Sequence, residues 1–230
     1  MAAPSPPTIR WARSGTPVPY PAALQIMTRE VDAILAGTAQ ELLWFLEHPP
    51  LLTRGTRSRA DHLLSATRFP VYETDRGGEL TYHGPGQRIV YTLLDVRRHA
   101  HGDVRAFVRL IEDCVIAALD SLGVVAHGDP QRPGVWVARA ERDGGEAKIA
   151  AVGLKVRRGI SLHGLSLNIA PDLTHFDSIV PCGLEGSAVT SLAALGAESR
   201  PEAVDKALHE SFRARLGPLG PAPDPFAGHP

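Results

Sequence analysis

Apolar positions along the chain follow two periods, and these predict its elements. From Pro21 to Ala36, Leu24, Met27, Val31, Ile34 and Leu35 recur at helical spacing, and Gly37 stops the pattern. A second helix is predicted from a cap at Asp103 to about Leu122, with Phe107, Leu110, Ile111, Cys114, Ala118 and Leu119 on one stripe and Gly123 beyond it. A third opens at Pro201, which suits a first helical turn, and carries Ala203, Val204, Ala207, Leu208, Phe212 and Leu216. Short apolar runs read as strands at Leu42 to Leu46, Arg88 to Leu94 and Val135 to Val137, and Lys148 to Ile169 reads as two long strands joined near Arg157–Gly159. The order helix, strands, helix, strands, helix predicts an α+β fold, with helices packed on a mixed or antiparallel sheet.

Alternation within the long strands adds detail. Ala150, Val152, Leu154 and Val156 form one apolar face, and parity puts Lys148 on that face and Lys155 on the other. An inward lysine needs a partner or a changed protonation state; the alternative is a frayed strand start from which Lys148 reaches water. In the returning strand Ile160 and Leu162 are even whereas Leu165, Leu167 and Ile169 are odd, so a β-bulge is predicted at His163–Gly164. His163 to Ser166 then becomes either a wall of a site or a purely structural kink.

The 230 residues, 43% apolar, suit one domain with a substantial core. The expected layout is a loose tail at 1–8, one domain over 9–216 and a Pro/Gly-rich tail at 217–230. A net charge of −1 gives no long-range pull toward nucleic acid or an anionic membrane. No signal peptide or membrane-spanning run is visible, so a cytoplasmic protein is expected. Two cysteines, Cys114 and Cys182, exclude a disulfide scaffold and a cysteine zinc cluster.

Three segments carry chemistry. Arg76 to Gln87 (RGGELTYHGPGQ) combines four glycines and a proline with Arg76, Thr81, Tyr82, His83 and Gln87. It reads as surface turns or as a loop whose backbone approaches a ligand; it is neither a Walker loop nor a dinucleotide fingerprint. The second segment is the strand pair with Lys148. In the third, Cys182 lies between Pro181 and Gly183, outside any amphipathic pattern, while Cys114 sits on a helical stripe as inert core. A lone loop cysteine is ordinarily without function, but with a lysine beside it a thiol becomes a competent nucleophile for covalent acyl transfer.

At this point the segments resemble the lipoyl(octanoyl) transferase family. The matches run in order from Glu47-His-Pro-Pro50 through Arg76-Gly-Gly with Thr-Tyr-His-Gly-Pro-Gly-Gln87, Pro133-Gly-Val-Trp-Val137, Lys148-Ile-Ala-Ala-Val-Gly153, His163-Gly-Leu-Ser-Leu-Asn168 and Pro181-Cys-Gly183 to Thr190-Ser-Leu192. The resemblance implies a biotin/lipoate protein ligase-like fold and transfer of an octanoyl group from acyl carrier protein to a lysine of a lipoyl domain. It implies that Cys182 carries the acyl thioester and that Lys148 lowers its pKa and serves as acid/base. The acyl group would contact Arg76, Gly77, Gly78, Glu79, Leu80, Thr81, Tyr82 and His83, then Ala151, Val152 and Gly153, and Gly164, Leu165 and Ser166. Loop amides and His83 are expected to steady the oxyanion. The implied acceptors are apo lipoyl domains of 2-oxoacid dehydrogenase complexes and the glycine cleavage H protein, with no cofactor, ATP or metal. The charged stretch 138–147 (ARAERDGGEA) departs from the family and reads as a solvated hairpin or loop.

Three rival readings are weighed against this one. An ATP-dependent lipoate or biotin ligase on the same fold would need no cysteine, but the Gly-Arg-Gly-Arg pattern of biotin ligases is absent. A non-catalytic binding protein would not need both Lys148 and Cys182. A metal hydrolase on His99 and His101 is disfavoured because both lie in a loop-like Arg/His/Gly stretch.

Overall fold

In the computed structural model the described residues are 8–59, 62–64, 68–139, 145–179 and 188–228. In chain order the strands and helices are β1 (Ile9–Arg13), α1 (Tyr20–Leu35), β2 (Leu42–Leu46), β3 (Leu51–Arg54), β4 (Val71–Glu73), β5 (Leu80–His83) and β6 (Gln87–Leu93). They continue with α2 (Val96–Ala100), α3 (Val104–Ser121), β7 (His127–Gly128), β8 (Val135–Ala138), β9 (Glu146–Arg157), β10 (Ile160–Asn168), β11 (Ala188–Val189), α4 (Pro201–Leu216) and β12 (Leu219–Pro221).

The helices start and stop where local chemistry dictates. Asp103 caps α3 by accepting from the N–H groups of Arg105 and Ala106, and α1 and α4 each carry proline in the first turn. Glu202 in the first turn of α4 and Arg213 and Arg215 in its last turn match the helix dipole. The stripe of α1 differs from expectation: Leu24 is 37% exposed, while Ala23 and Ile26 are buried with Met27 and Val31.

A mixed sheet runs β12-β1-β2-β6-β10-β9-β8-β7, with β11 parallel to β9, and β3 lies between β4 and β5 in a smaller sheet. Both faces of the large sheet are covered. The core on one face joins α3 and α4 to Leu43, Phe45, Val90, Ile149, Ala150, Leu165 and Leu167. The other face packs α1 against Leu42, Trp44, Ile89, Tyr91, Ile160 and Leu162.

This two-sided burial explains the parity change in β10 without a bulge. Its register with β9 is unbroken from Ile160↔Arg157 to Leu167↔Ala150, so the predicted slip at His163–Gly164 does not occur. Ile160 and Leu162 meet one core, and Leu165 and Leu167 meet the other. His163 instead has φ of 62°, a left-handed conformation rare for a residue with a Cβ.

The register shift lies in β9. Val135 pairs with Ala150 and Trp136 with Lys148, which leaves Ile149 as an extra residue. Ala147, Ile149 and Ala150 therefore all reach the α3/α4 core, and Lys148 points to the opposite face. Simple parity had put Lys148 beside Ala150; the bulge moves it to the other side.

The segment from Gly217 also differs from a loose tail. Leu219–Pro221 pairs in parallel with β1, Ser14 Oγ donates to Asp224 Oδ1 at 2.6 Å, and Phe226 packs against the α1-side core. Of the charged stretch 138–147, Ala138 ends β8, Glu146 and Ala147 open β9, and the Arg139 N–H donates to the Gly145 carbonyl at 2.8 Å; residues 140–144, part of the expected hairpin or loop, lie outside the described residues.

Candidate functional site

A cavity of about 210 Å³ lies on the sheet face to which Lys148 points. Its floor follows from side-chain size. Cross-strand pairs Ala151↔Ser166 and Gly153↔Gly164 put four small residues on adjacent strands, leaving space where larger side chains would fill it. A Cβ on Gly153 would stand 3.1 Å from the Gly77 carbonyl oxygen and 3.2 Å from Arg76 Cδ, so the covering loop rests directly on this glycine.

That loop is tied down from both sides. The Gly77 N–H donates to the Leu154 carbonyl at 2.9 Å. Buried Arg76 donates to Thr53 Oγ1 and O, to the Gly77 carbonyl and to the Glu79 carbonyl at 2.8–3.2 Å. These bonds commit the guanidinium to holding the loop against β3.

From Arg76 a chain of hydrogen bonds crosses the site. Thr53 Oγ1 lies 3.2 Å from His83 Nε2, and His83 Nδ1 lies 2.7 Å from Gln87 Oε1. Gln87 Nε2 donates to Asn168 Oδ1, and Asn168 Nδ2 to the Thr190 carbonyl, both at 2.9 Å. The Thr190 N–H then donates to the Lys148 carbonyl at 3.0 Å. The ends fix its direction, since a carbonyl only accepts and a guanidinium only donates. His83 therefore carries its proton on Nδ1 and accepts at Nε2 from the Thr53 hydroxyl. Burial, with His48 and Arg76 nearby, pushes His83 down to about 3, so it is neutral at pH 7. Both ring nitrogens are engaged, which removes His83 as a donor to an oxyanion.

A second buried histidine adjoins it. His48 Nδ1–H donates to the Val18 carbonyl at 2.6 Å and Nε2 accepts from the Tyr91 hydroxyl at 2.7 Å. Burial lowers His48 to about 4 against the pull of that carbonyl, and raises Tyr91 well above 10. His163 lies 3.3 Å from Asp75 Oδ1, yet burial outweighs the carboxylate and holds it at about 4. On Asp75 the bonds from Lys155 and His163 outweigh burial and pull the carboxyl down.

Lys148 is 7% exposed and lines the cavity. Its Nζ donates to the Pro133 carbonyl at 2.9 Å and stands 4.6 Å from the centre of the Trp136 ring. Arg132 stacks on the same indole at 4.4 Å and pairs with Asp129 and Glu146. A Cβ on Gly134, whose φ is 126°, would meet the Ala150 carbonyl oxygen at 2.7 Å and Lys148 Nζ at 3.2 Å, so this turn admits only glycine.

Most of the expected residues come together. Lys148, Arg76, Gly77, Gly78, Glu79, Leu80, Thr81, His83, Ala151, Val152, Gly153, Gly164, Leu165 and Ser166 line the cavity. Tyr82 does not: strand alternation turns it into a separate core with Leu52, Leu80 and Phe176, where its hydroxyl meets His175 Nδ1 at 2.7 Å. Cys182 lies outside the described residues. Cys114 is fully buried on α3, and burial raises its thiol to about 12. Tyr20, Thr53, Ile89, Tyr91, Arg132 and His163 also line the cavity. Of these only His163 was marked by a sequence signal. His99, weighed as a metal ligand, is bonded to Glu41 at 2.9 Å. Among the described residues no helix is long and apolar enough to cross a membrane.

Comparison with known proteins identifies the family. Residues 19–213 match the lipoyl protein ligase A/B catalytic domain. The chain is 51% identical over 224 residues to an octanoyltransferase of Sinorhizobium medicae, covering 95% of this chain and 85% of that protein. It is 50% identical to an octanoyltransferase of Agrobacterium fabrum, covering 96% and 84%. Among solved structures it is similar to a bipartite lipoate protein ligase of Thermoplasma acidophilum, with TM-score 0.66, 17% identity and coverage of 94% and 86%. A lipoate-protein ligase A bound with ATP gives TM-score 0.66, 16% identity and coverage of 94% and 89%. These two likenesses speak to the fold alone. The chain belongs to the lipoyl protein ligase A/B catalytic-domain family, and within it to the octanoyltransferases, which are acyltransferases.

Proposed function

We propose that octanoyl transfer by this chain proceeds through a thioester on Cys182, with octanoyl-acyl carrier protein as donor. The Cys182 thiolate attacks the donor's thioester carbonyl, the Lys148 ammonium gives its proton to the departing carrier sulfur, and octanoyl-Cys182 remains with a neutral Lys148. The ε-amine of a lysine on an apo lipoyl domain then attacks that thioester, Lys148 takes the amine's proton, and the Cys182 thiolate departs. The first exchange is thioester for thioester and the second forms an amide, so no ATP is consumed. With His83 spent on its own hydrogen bonds, backbone N–H groups are the donors assigned to the oxyanion.

One observation carries this reading. Lys148 is a buried amine held by the Pro133 carbonyl and the Trp136 indole at the cavity wall. The chain leaving the Cys182 segment enters the sheet as Ala188–Val189 directly beside Ala147–Lys148. Acceptors of this chemistry are the lipoyl domains of 2-oxoacid dehydrogenase complexes and the glycine cleavage H protein, in the cytoplasm.

Initial rates with both substrates varied test the scheme. Parallel double-reciprocal lines without ATP are expected. Intersecting lines, or a requirement for ATP, would replace it with direct transfer or ligation.

A further inference from the structure

Glu112 lies on α3, far in sequence from any segment with recognised chemistry, and is 4% exposed. Its Oε1 accepts from the Gly134 N–H at 2.6 Å. That N–H belongs to the same peptide unit as the Pro133 carbonyl, which accepts from Lys148 Nζ at 2.9 Å. Carboxylate, peptide and amine thus stand in series, with the Trp136 face against the amine. Polar groups bonded in series strengthen one another. Burial raises Glu112, while the Gly134 N–H, and more weakly the Lys148 charge, pull it back. The charged groups around the series are Arg109 and Asp113 beside Glu112 on α3, and Arg132, stacked on Trp136, with its partners Asp129 and Glu146.

We propose that Glu112 is a positioning residue for the transfer reaction: it fixes the Pro133–Gly134 peptide, whose carbonyl holds the Lys148 amine at the cavity. It touches no reacting atom. Without its acceptor the peptide can rotate and carry its carbonyl away from Nζ, and Gly134, lacking a Cβ, offers little resistance. The inference rests on the role given above to Lys148.

The test uses the full chain labelled with 13Cε-lysine, in which Lys148, Lys155 and Lys206 are the lysines and Lys148→Arg assigns the signal. Glu112→Gln keeps the acceptor for Gly134 N–H, whereas Glu112→Leu keeps the volume and removes the acceptor. In wild type and Glu112→Gln the Lys148 methylene signal is expected to be ring-shifted by Trp136, and in Glu112→Leu to move toward the free-lysine position. kcat is expected to fall about tenfold or more in Glu112→Leu and to stay within about twofold of wild type in Glu112→Gln, with KM for both substrates unchanged, as for a misplaced catalytic group. A Lys148 signal and kcat unchanged in folded Glu112→Leu, or Glu112→Gln as impaired as Glu112→Leu, overturns the proposal. The role of Lys148 fails separately, if Lys148→Ala keeps full transfer; the signal in Glu112→Leu needs no turnover and still decides the positioning.

Discussion

Trp136 and Lys148 face each other across β8 and β9, with the amine 4.6 Å from the indole centre, because Ile149 is an extra residue in β9. Were Ile149 paired in regular alternation, Lys148 would share the face of Ala150 and lie in the α3/α4 core, where an amine has no role. The bulge lets one strand feed the core with Ala147, Ile149 and Ala150 and still deliver a lysine to the opposite face.

The hydrogen-bond chain from Arg76 to Thr190 has a single direction, and Gln87→Glu tests it. A carboxylate at 87 accepts from His83 but cannot donate to Asn168 Oδ1, so one buried bond becomes an acceptor–acceptor contact. We expect a loss of about 1–3 kcal/mol in stability and an imidazole that titrates above its wild-type value of about 3. 15N spectra of His83 should show Nδ1–H with bare Nε2 in wild type and a protonated ring at higher pH in the variant. A proton on Nε2 in the wild type would refute the assigned direction.

His48, His83 and His163 are neutral when folded, with values lowered to about 4, 3 and 4. In the unfolded chain each takes up a proton near pH 6.5. Between these limits the unfolded state binds more protons, so stability is fully present above about pH 6.5 and is lost as pH falls toward 4. Urea midpoints should therefore drop steadily from pH 7 to pH 5. A flat profile over that range would show that these rings do not stay neutral on folding.

Arg88 and Asp205 form a bidentate pair at 2.7 and 3.1 Å, and Arg88 is 2% exposed. Burial raises Asp205 despite the two arginines, Arg88 and Arg13, beside it. Removing one partner leaves a buried charge, so Asp205→Ala should cost about 3–5 kcal/mol while Arg88→Met with Asp205→Leu restores much of it. Thermal melts check this; equal damage in the single and double variants would argue that packing rather than charge dominates at this site.

The elements with strong local signals were legible in the sequence. Asp103 and Gly123 bracket α3, Pro201 opens α4, and the apolar run of β2 is fully buried. The loop from Arg76 stands out in the sequence by its glycines and polar residues, and His163 to Ser166 by the parity change, whereas Ala151 to Gly153 enters only through the family resemblance. What was hidden depends on pairing between distant segments. The bulge at Ile149 exists only in the register with β8, and a single-strand parity argument has no access to it. Tyr82 was grouped with His83 by proximity, but alternate residues of β5 face opposite ways. Leu219–Pro221 looks like a loose end until β1 supplies an edge for it. Glu112 sits on a helix among ordinary surface charges, and only the fold brings it to the Pro133–Gly134 peptide.

A covalent intermediate on Cys182 is tested most directly by intact mass. The protein is mixed with octanoyl-acyl carrier protein without ATP and measured under denaturing conditions, comparing wild type, Cys182→Ala and Cys114→Ala. One octanoyl group on wild type and Cys114→Ala, absent from Cys182→Ala and discharged by apo lipoyl domain, is the predicted result. No adduct on wild type, with modification of the lipoyl domain that survives Cys182→Ala, would contradict it.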